Sequence, residues 1–569
     1  MSFFEDASLV LIPSAQKTSK VYSVKPTDGT GDLTFSRSND TATRVGPDGL
    51  IEKVRTNLQT YSQDFSNAVW NKSAGATLTH SQTDPNGGTT ASRLQMPSGT
   101  SNFLGASAMS GLTNGGKYTH SIYMKSNTGS TQSVRLIDGV RGAAGGTLLA
   151  SVTTSWQRFE VVITTASTSA GLQIDNVAGT YNNDILIAFA QTEDSDFGAT
   201  DYIATTSAAV SVGPVANVPR LDYLNSSCPR LLLEGQRTNT ITFSEDVTSC
   251  LTSQVGTTVT ANATASPDGY QSADLVAFTP SSYRLRNQTV AAATTYTMSV
   301  FFKNNTFSGT EFIAFNMSDG VIGGMQAQIQ PANGTATFSG SAGAWTGVSG
   351  KVENYGNGWY RVSVTGTSVS GGSGWYEVAS ILPTKSAYFW GFSLEIGAYA
   401  TSYIPTLGAA VTRGADAASK NPANAFSGTN AGTIFVEFDS VGFDPSQGNY
   451  VFDFAAGADT TNRILVYFSP SDNTLRLFYA TTAGVTAQQT AAVTMSAIKK
   501  IAVKWDASSI KMFYNGTATN SFAFGATAPN DLTLFARYTD TELLAAKSAQ
   551  LLTFPTTLTD AQCIELTTL

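Results

Sequence analysis

A chain of 569 residues is long enough for about three to four domains, and its 41% hydrophobic and 10% aromatic content is too apolar for a disordered segment. Only 13% of its residues are charged, the net charge is −8 and no run of four basic residues occurs, which excludes a nucleic-acid-binding surface built on clustered lysine and arginine. Three cysteines (Cys228, Cys250, Cys563) and two histidines (His80, His120) exclude a disulfide framework and the spacing of a zinc site, and the odd thiol count implies assembly in a reducing cytoplasm.

Residues 1–13 carry no basic leader, and their apolar run stops at Pro13, so they do not read as a secretory signal. No window reaches the roughly 18 apolar residues of a membrane span. Residues 9–12 are expected to pair as a strand with some neighbour or to anchor the chain to an assembly, and residues 21–24 and 33–37 read as strands. Residues 41–52 read as a hairpin, with Pro47-Asp48-Gly49 supplying a fixed φ, an Asx bond and a residue tolerant of φ > 0.

The passage Glu52-x-x-Arg55-Thr56-Asn57, followed by Tyr61-Ser62-x-Asp64, marks the entry to a first module. Its expected strands lie at 118–124, 134–137, 156–163 and 184–189, separated by turn signals at 84–88, 113–116 and 142–146. The same passage returns 182 residues later as Glu234-x-x-Arg237-Thr238-Asn239 with Phe243-Ser244-x-Asp246. Residues 266–273 match 84–91, 296–303 match 118–125, 358–364 match 155–161 and 400–406 match 199–205, so the offset drifts from 182 to 178 and then to about 202. That spacing is of whole domains, with insertions confined to loops. Residues 218–234 form a second hairpin ahead of the second module, and 411–416 resemble the start of a third connector.

From about residue 430 the pattern changes to strands at 433–438, 450–454, 463–468, 474–479, 500–505 and 510–514, the last closed by the hairpin pair Asn515-Gly516. Thr559 or Asp560 is the expected N-cap of one short closing helix. The fold class is therefore all-β: tandem β-sandwich or jelly-roll domains with β-hairpin connectors, then a further sandwich. The expected divisions are 1–54 (N-terminal anchor and hairpin connector), 55–212 (first jelly roll), 213–236 (connector), 237–415 (second jelly roll, a duplicate of the first) and 416–569 (C-terminal sandwich).

The stretch Ala42-Thr-Arg-Val-Gly-Pro-Asp-Gly-Leu-Ile-Glu52, the opening from Arg55 to Trp70 and the close Thr401-Ser-Tyr-Ile-Pro-Thr406 resemble repeated modules of tailed-bacteriophage virion proteins, the head spike, head fibre and tail fibre proteins, whose jelly rolls are similar to carbohydrate-binding modules. The resemblance covers roughly residues 35 to 415. Trp505-Asp506, Tyr514-Asn-Gly516 and Leu558-Thr-Asp560 are similar to the concanavalin A-like (laminin G-type) family. Departures occur: Ala204 stands where the closing pattern has proline, and Thr248-Ser-Cys250 replaces Ser66-Asn-Ala68.

Candidate chemistry is sparse. Glycoside hydrolysis needs two carboxylates about 5 to 10 Å apart. Glu193, Asp194 and Asp196 cluster near the end of the first module, and Glu395 lies at the place matching Glu193, which suits a loop-holding role better than catalysis. No histidine belongs to a nucleophilic triad, so no catalytic residue is assigned. Arg55 and Arg237 with Glu52 and Glu234 are expected to form structural ion pairs that pin hairpin to sandwich. Trp156 and Trp359, each followed two residues later by an arginine (Arg158, Arg361), read as core residues more than sugar platforms. Ligand-facing aromatics are sought where the modules differ: Tyr181, Tyr283 and Trp375-Tyr376. Asp439, Asp444, Asp453 and Asp459 are scattered, and Asp472-Asn473 and Asn530-Asp531 are isolated, so no metal and no cofactor is assigned.

The resulting expectation is a virion surface protein, assembled in the host cytoplasm. It displays sandwiches for adhesion to cell-surface glycans, with other virion proteins as partners and a homotrimer implied by the resemblance. A purely structural decoration or connector protein is the alternative, and a glycan-degrading enzyme is disfavoured by the carboxylate inventory.

Overall fold

The computed structural model describes residues 3–107, 109–110, 112–139, 146–166, 168–195, 197–321, 323–382, 384–428, 430–446, 448–456, 459–481, 484–525, 529–537 and 544–569. The protein is all-β; the longest helix among the described residues is Asp560–Thr567, capped by Thr559 in a capping box with Gln562. The chain divides into two compact units, Val54–Gly213, and Met1–Lys53 together with Pro214–Leu569.

The unit Val54–Gly213 is a sandwich of two five-stranded antiparallel sheets. One runs in the order Gln157–Thr164, Lys117–Ser126, Asn183–Asp194, Ala91–Met96, Thr77–Gln82; the other runs Thr147–Val152, Gln132–Asp138, Leu172–Asp175, Phe103–Ala106, Trp70–Lys72. Alternation in polarity sets the faces: Val134 and Leu136 turn inward to meet Leu94, Met124, Ile174 and Ile187, while Ser133 and Arg135 face out. Arg55–Asn57 pairs with Val210–Val212, so entry and exit lie side by side. Of the expected turn at 142–146, residues 142–145 lie outside the described residues.

In the other unit, residues 237–413 form a second sandwich from one continuous ten-stranded sheet. Its strand Ala273–Val290 runs through both layers, where the first sandwich uses the two strands Ala91–Met96 and Phe103–Ala106. Two strands without counterparts, Thr335–Gly340 and Trp345–Gly356, are inserted between Gly324–Gln330 and Trp359–Ser368. They account for the growth of the sequence offset to about 202. The entry strand Arg237–Asn239 again pairs with the exit strand Val411–Arg413.

The third sandwich draws strands from far along the chain. Leu9–Leu11 pairs with Ala545–Phe554, which also pairs with the connector strand Arg230–Leu233 and with Gly432–Gly442. In the opposite sheet Leu33–Ser36 pairs with Ala417–Lys420 beside Asp531–Leu534. Leu9, Leu11, Val21, Leu33, Phe35, Leu221, Leu231 and Leu233 share one core with Ile434, Val436, Phe454 and Trp505. Residues 9–11 therefore take the strand role, and in chain order the other two sandwiches are excursions out of this third one. The pair Asn515 (φ 44°) and Gly516 (φ 77°) turns Ser509–Tyr514 into Thr517–Ala518 with both residues left-handed.

Candidate functional site

The outer face of the second sandwich carries an open groove, and strand period dictates which residues line it. In Ile313–Ser318, Gly324–Gln330 and Gly372–Ser380 the buried positions include Phe315, Met317, Met325, Ala327, Tyr376 and Val378, so the alternate residues point away from the core. Register aligns Leu285, Glu377, Asn316, Gln326 and Ser339 in one row across five strands. The next row holds Asn287, Trp375, Ser318 and Gly324. Gly324 has no side chain, and a Cβ there would collide with the Met317 carbonyl oxygen.

The result is a depression of about 310 Å³ lined by Asn316, Ser318, Gly324, Gln326, Ser339, Trp375 and Glu377 among others. Asn316 Nδ2 donates to Glu377 Oε1 at 3.0 Å, and Gln328 Nε2 donates to Gln326 Oε1 at 3.0 Å. Asn316 Oδ1 is buried and finds no partner among the described residues. The groove thus offers one half-buried indole and a carboxylate, with the amides of Asn316 and Gln326 beside them. A flat apolar ring beside amide and carboxylate acceptors matches a ligand with one C–H face and a rim of hydroxyls. The matching face of the first sandwich holds Phe103, Asp175 and Arg135 in one rung, and Arg135 closes on Asp175 at 2.8 Å.

Of the aromatic candidates read from sequence, Trp375 lines the groove and Tyr283 stands on the same sheet, opposite Ala379. Tyr376 turns inward, where its hydroxyl donates to the Cys250 carbonyl at 3.3 Å. Tyr181 is half-buried in the first sandwich. Trp359 is buried and its indole N–H donates to Ala265 at 3.0 Å, whereas Trp156 is half-buried. Asn316, Gln326 and Glu377 were not singled out by sequence reasoning. Their signal is alternation of amides with buried apolar residues, legible only once the strands are known to be neighbours.

The acids do other work. Glu395 Oε2 accepts from Thr401 through both N–H (3.3 Å) and hydroxyl (2.8 Å), and Glu193 accepts from the Thr200 N–H at 2.9 Å and from its hydroxyl. Each closes the same loop in its own sandwich, and burial pushes the Glu395 carboxyl up. Asp194 is exposed, and Asp196 lies outside the described residues. His120 is buried against the Thr192 hydroxyl at 2.8 Å, and His80 meets Ser92 at 3.0 Å.

The expected ion pairs require correction. Glu52 pairs with Arg44 at 2.6 Å, and Glu234 with Arg220 at 2.7 Å and with Arg413. Arginines on neighbouring strands, Arg44, Arg220 and Arg413, therefore supply the partners, because the fold brings them to the glutamates. Arg237 instead lies over the Tyr399 ring at 4.9 Å. Arg220 also contacts Asp416, which holds Arg37 at 3.0 Å, and all five side chains are fully buried. This knot ties the connectors to the third sandwich, and its Glu234 also lines a depression of about 230 Å³ together with Asp222, Arg230, Glu353 and Lys547.

Asp439 pairs with Arg230 (2.5 Å) and Lys499 (2.8 Å), Asp444 caps its own turn, Asp453 accepts from Arg463 at 3.2 Å, and Asp472 accepts from Thr474 at 2.7 Å. Asp531 accepts from Asn421, and the Asp459 side chain lies outside the described residues. Among the described residues no group of three or more His, Cys, Asp or Glu is placed to hold a metal ion. Cys228 is exposed, while Cys250 and Cys563 are buried thiols. No helix among the described residues is long and apolar enough to cross a membrane.

No protein-family model matches the chain, and no curated protein does. Among solved structures, the carbohydrate-binding module CBM40 of Ruminococcus gnavus IT-sialidase, bound to α2,3-sialyllactose, is similar over 24% of this chain and 83% of its own at 14% identity and a TM-score of 0.22. The tandem CBM22 domains of Paenibacillus barcinonensis Xyn10C are similar over 60% of this chain and 97% of their own, at 9% identity and a TM-score of 0.21. Domains LG4-5 of the mouse laminin α1 chain are similar over 48% of this chain and 84% of their own, at 10% identity and a TM-score of 0.17.

Proposed function

We propose that the chain is a structural protein of a tailed-phage virion, displayed at the particle surface, that adheres to surface glycans without turning them over. The observation that carries the adhesion half is the outward row of Trp375, Glu377, Asn316 and Gln326, an aromatic platform edged by amide and carboxylate groups on a rigid sheet. Such a groove is shallow, and single-site affinity is expected to be weak. Copies on one particle, a trimer being the expected assembly, multiply it through effective concentration. The lone, loop-bound carboxylates Glu193 and Glu395 agree with binding rather than hydrolysis.

A glycan array probed with the full chain and with Trp375→Ala tests the reading. Retention of at least one glycan class by the wild type, lost in the variant and released uncleaved, is the expected result. A blank array would favour the alternative of a decoration or connector protein without sugar binding. Shortened product would establish an enzyme.

A further inference from the structure

The first and second sandwiches carry the same ring cluster on the outer face of the sheet that holds Lys117–Ser126 in the first and Thr295–Asn304 in the second. In the second, Trp390 lies 4.7 Å from Tyr403 and 5.4 Å from Phe301, Arg361 stands 5.3 Å over Phe301, and Ser244 bonds the Tyr403 hydroxyl at 2.6 Å. In the first, Phe189 lies 4.7 Å from Tyr202 and 5.8 Å from Tyr123, Arg158 stands 5.7 Å over Tyr123, and Ser62 bonds the Tyr202 hydroxyl at 2.6 Å. The rings are equivalent, but their surroundings are not.

On the second sandwich the chain covers its own rings. Val45 and Ile51 of the hairpin pack into the cluster, the Thr43 hydroxyl donates to the Tyr403 carbonyl at 2.6 Å, and the Lys53 ammonium sits 5.3 Å over Trp390. Lys53 is neutralised by Glu245 at 2.9 Å and Asp268 at 2.7 Å. Phe301, Trp359, Trp390 and Tyr403 are buried beneath this cover. On the first sandwich Tyr123, Trp156 and Tyr202 remain half-exposed. Beside Tyr202 a depression of about 360 Å³ is lined by Arg55, Asp201, Ala204, Val210 and Val212.

We infer that the ring face of the first sandwich is a docking site for a β-hairpin of another polypeptide, one presenting two branched aliphatic side chains and, where this chain has Lys53, a neutral polar residue. The aliphatic requirement follows from the equivalent rings and from Val45 and Ile51 on the twin face. The neutral requirement follows from substitution: Gln63 stands at the position of Glu245 and Asn86 at that of Asp268, both 182 residues upstream. The remaining carboxylate of that turn, Asp84, already accepts from the N–H groups of Asn86, Gly88 and Thr90 and from the Thr90 hydroxyl. A lysine seated there would be desolvated without the pair of carboxylates that holds Lys53, so the segment 43–53 of a second copy is the wrong occupant. The partner is thus a polypeptide other than a second copy of this chain.

Cyclised hairpin peptides copying residues 42–53, one with Lys53 and one with Lys53→Gln, titrated into the full-length chain, test this. Protection of Trp156 and Tyr202 from photo-oxidation, mapped by mass spectrometry, reports on the first sandwich alone. The Gln peptide is expected to protect both residues, with the Lys peptide about tenfold weaker. Trp156→Ala is expected to weaken the Gln peptide about tenfold, and Tyr123→Leu, which keeps an apolar residue should the first variant unfold, to weaken it comparably. Equal protection by the two peptides, no protection at about 1 mM, or protection of the same rings by a glycan instead would overturn the inference.

Discussion

Phe189 and Gly391 occupy corresponding bulges in the first and second sandwiches, with φ of 55° and 65°. The flanking register fixes the equivalence: Ala188 pairs with Tyr123 as Trp390 pairs with Phe301, and both ladders slip at the next residue. In the first sandwich the ring that fills the cluster hangs on the bulge residue itself. In the second it hangs on the residue before, and glycine takes the left-handed position. Yet the ring centroids lie 4.7 Å from the tyrosine in both. Aromatic packing is thereby kept while its attachment moves by one residue, and the first sandwich holds a bulky residue in a disfavoured conformation to do so.

Gly391→Ala should therefore destabilise the second sandwich by about 2 kcal/mol. The added Cβ would lie 2.7 Å from Phe301 and 3.3 Å from Tyr403, in a backbone conformation that alanine resists. Urea denaturation followed by tryptophan fluorescence measures the loss. An unchanged midpoint would show that the bulge is not strained for L-residues.

Glu395→Gln should be tolerated, and should gain on the wild type as pH rises. Burial pushes the Glu395 carboxyl up, only partly opposed by Arg361 and Thr401. A raised acid contributes stability below its unfolded value near 4.3 and loses it as pH rises through the folded value. The glutamine keeps an oxygen for the Thr401 donors and carries no charge to desolvate. Variant minus wild-type stability should be larger at pH 7 than at pH 4, and a constant difference across that range would contradict the account.

Glu234→Gln should act in the opposite sense. Burial alone would raise this carboxyl, but Arg413 and Arg220 overcome burial and hold it well below the usual carboxylate range. Its stabilisation is present above the unfolded value and is lost as pH falls below it. Removing the charge leaves the buried Arg413 without a carboxylate and Arg220 with Asp416 alone, at about 3 to 5 kcal/mol near neutrality. Midpoints in urea at pH 3, 5 and 7 should show a large deficit at pH 7 that narrows in acid.

The connector glutamates also show how far the sequence could be read. Equal spacing in Glu52-x-x-Arg55-Thr56-Asn57 and Glu234-x-x-Arg237-Thr238-Asn239 marked real structural nodes: Asn57 donates to Ala190 and Ile203, and Asn239 to Phe392 and Ile404, at 2.7 to 3.1 Å. The all-β class was legible because small polar residues alternate with apolar ones in short runs. The ion-pair partners were not, since Arg44, Arg220 and Arg413 reach the glutamates through the fold and not through local spacing. The Trp375 groove was legible only as one aromatic pair, because its amides Asn316 and Gln326 lie about 50 to 60 residues before Trp375 along the chain.

Trp156 and Trp359 match in sequence yet should respond differently. Trp359→Ala removes a buried ring and the bond to Ala265, at about 3 to 5 kcal/mol. Trp156→Ala removes a half-exposed ring, and about 1 kcal/mol is expected. Differential scanning calorimetry of the two variants compares them directly. Equal losses would mean that the first sandwich's rings are packed as tightly as the second's.

The adjacent pair Trp375 and Tyr376 gives the sharpest test of which face meets ligand. One strand residue apart, they point to opposite sides: Tyr376 is 2% exposed among Phe315, Met317 and Val378, while Trp375 edges the groove. Tyr376→Ala should cost about 3 to 5 kcal/mol by opening a cavity. Trp375→Ala should change stability by about 1 kcal/mol or less and abolish glycan retention on a surface coated with the bound sugar. A large stability loss at Trp375 with retained binding would place the ligand elsewhere on the protein, since the groove would then be a packing surface.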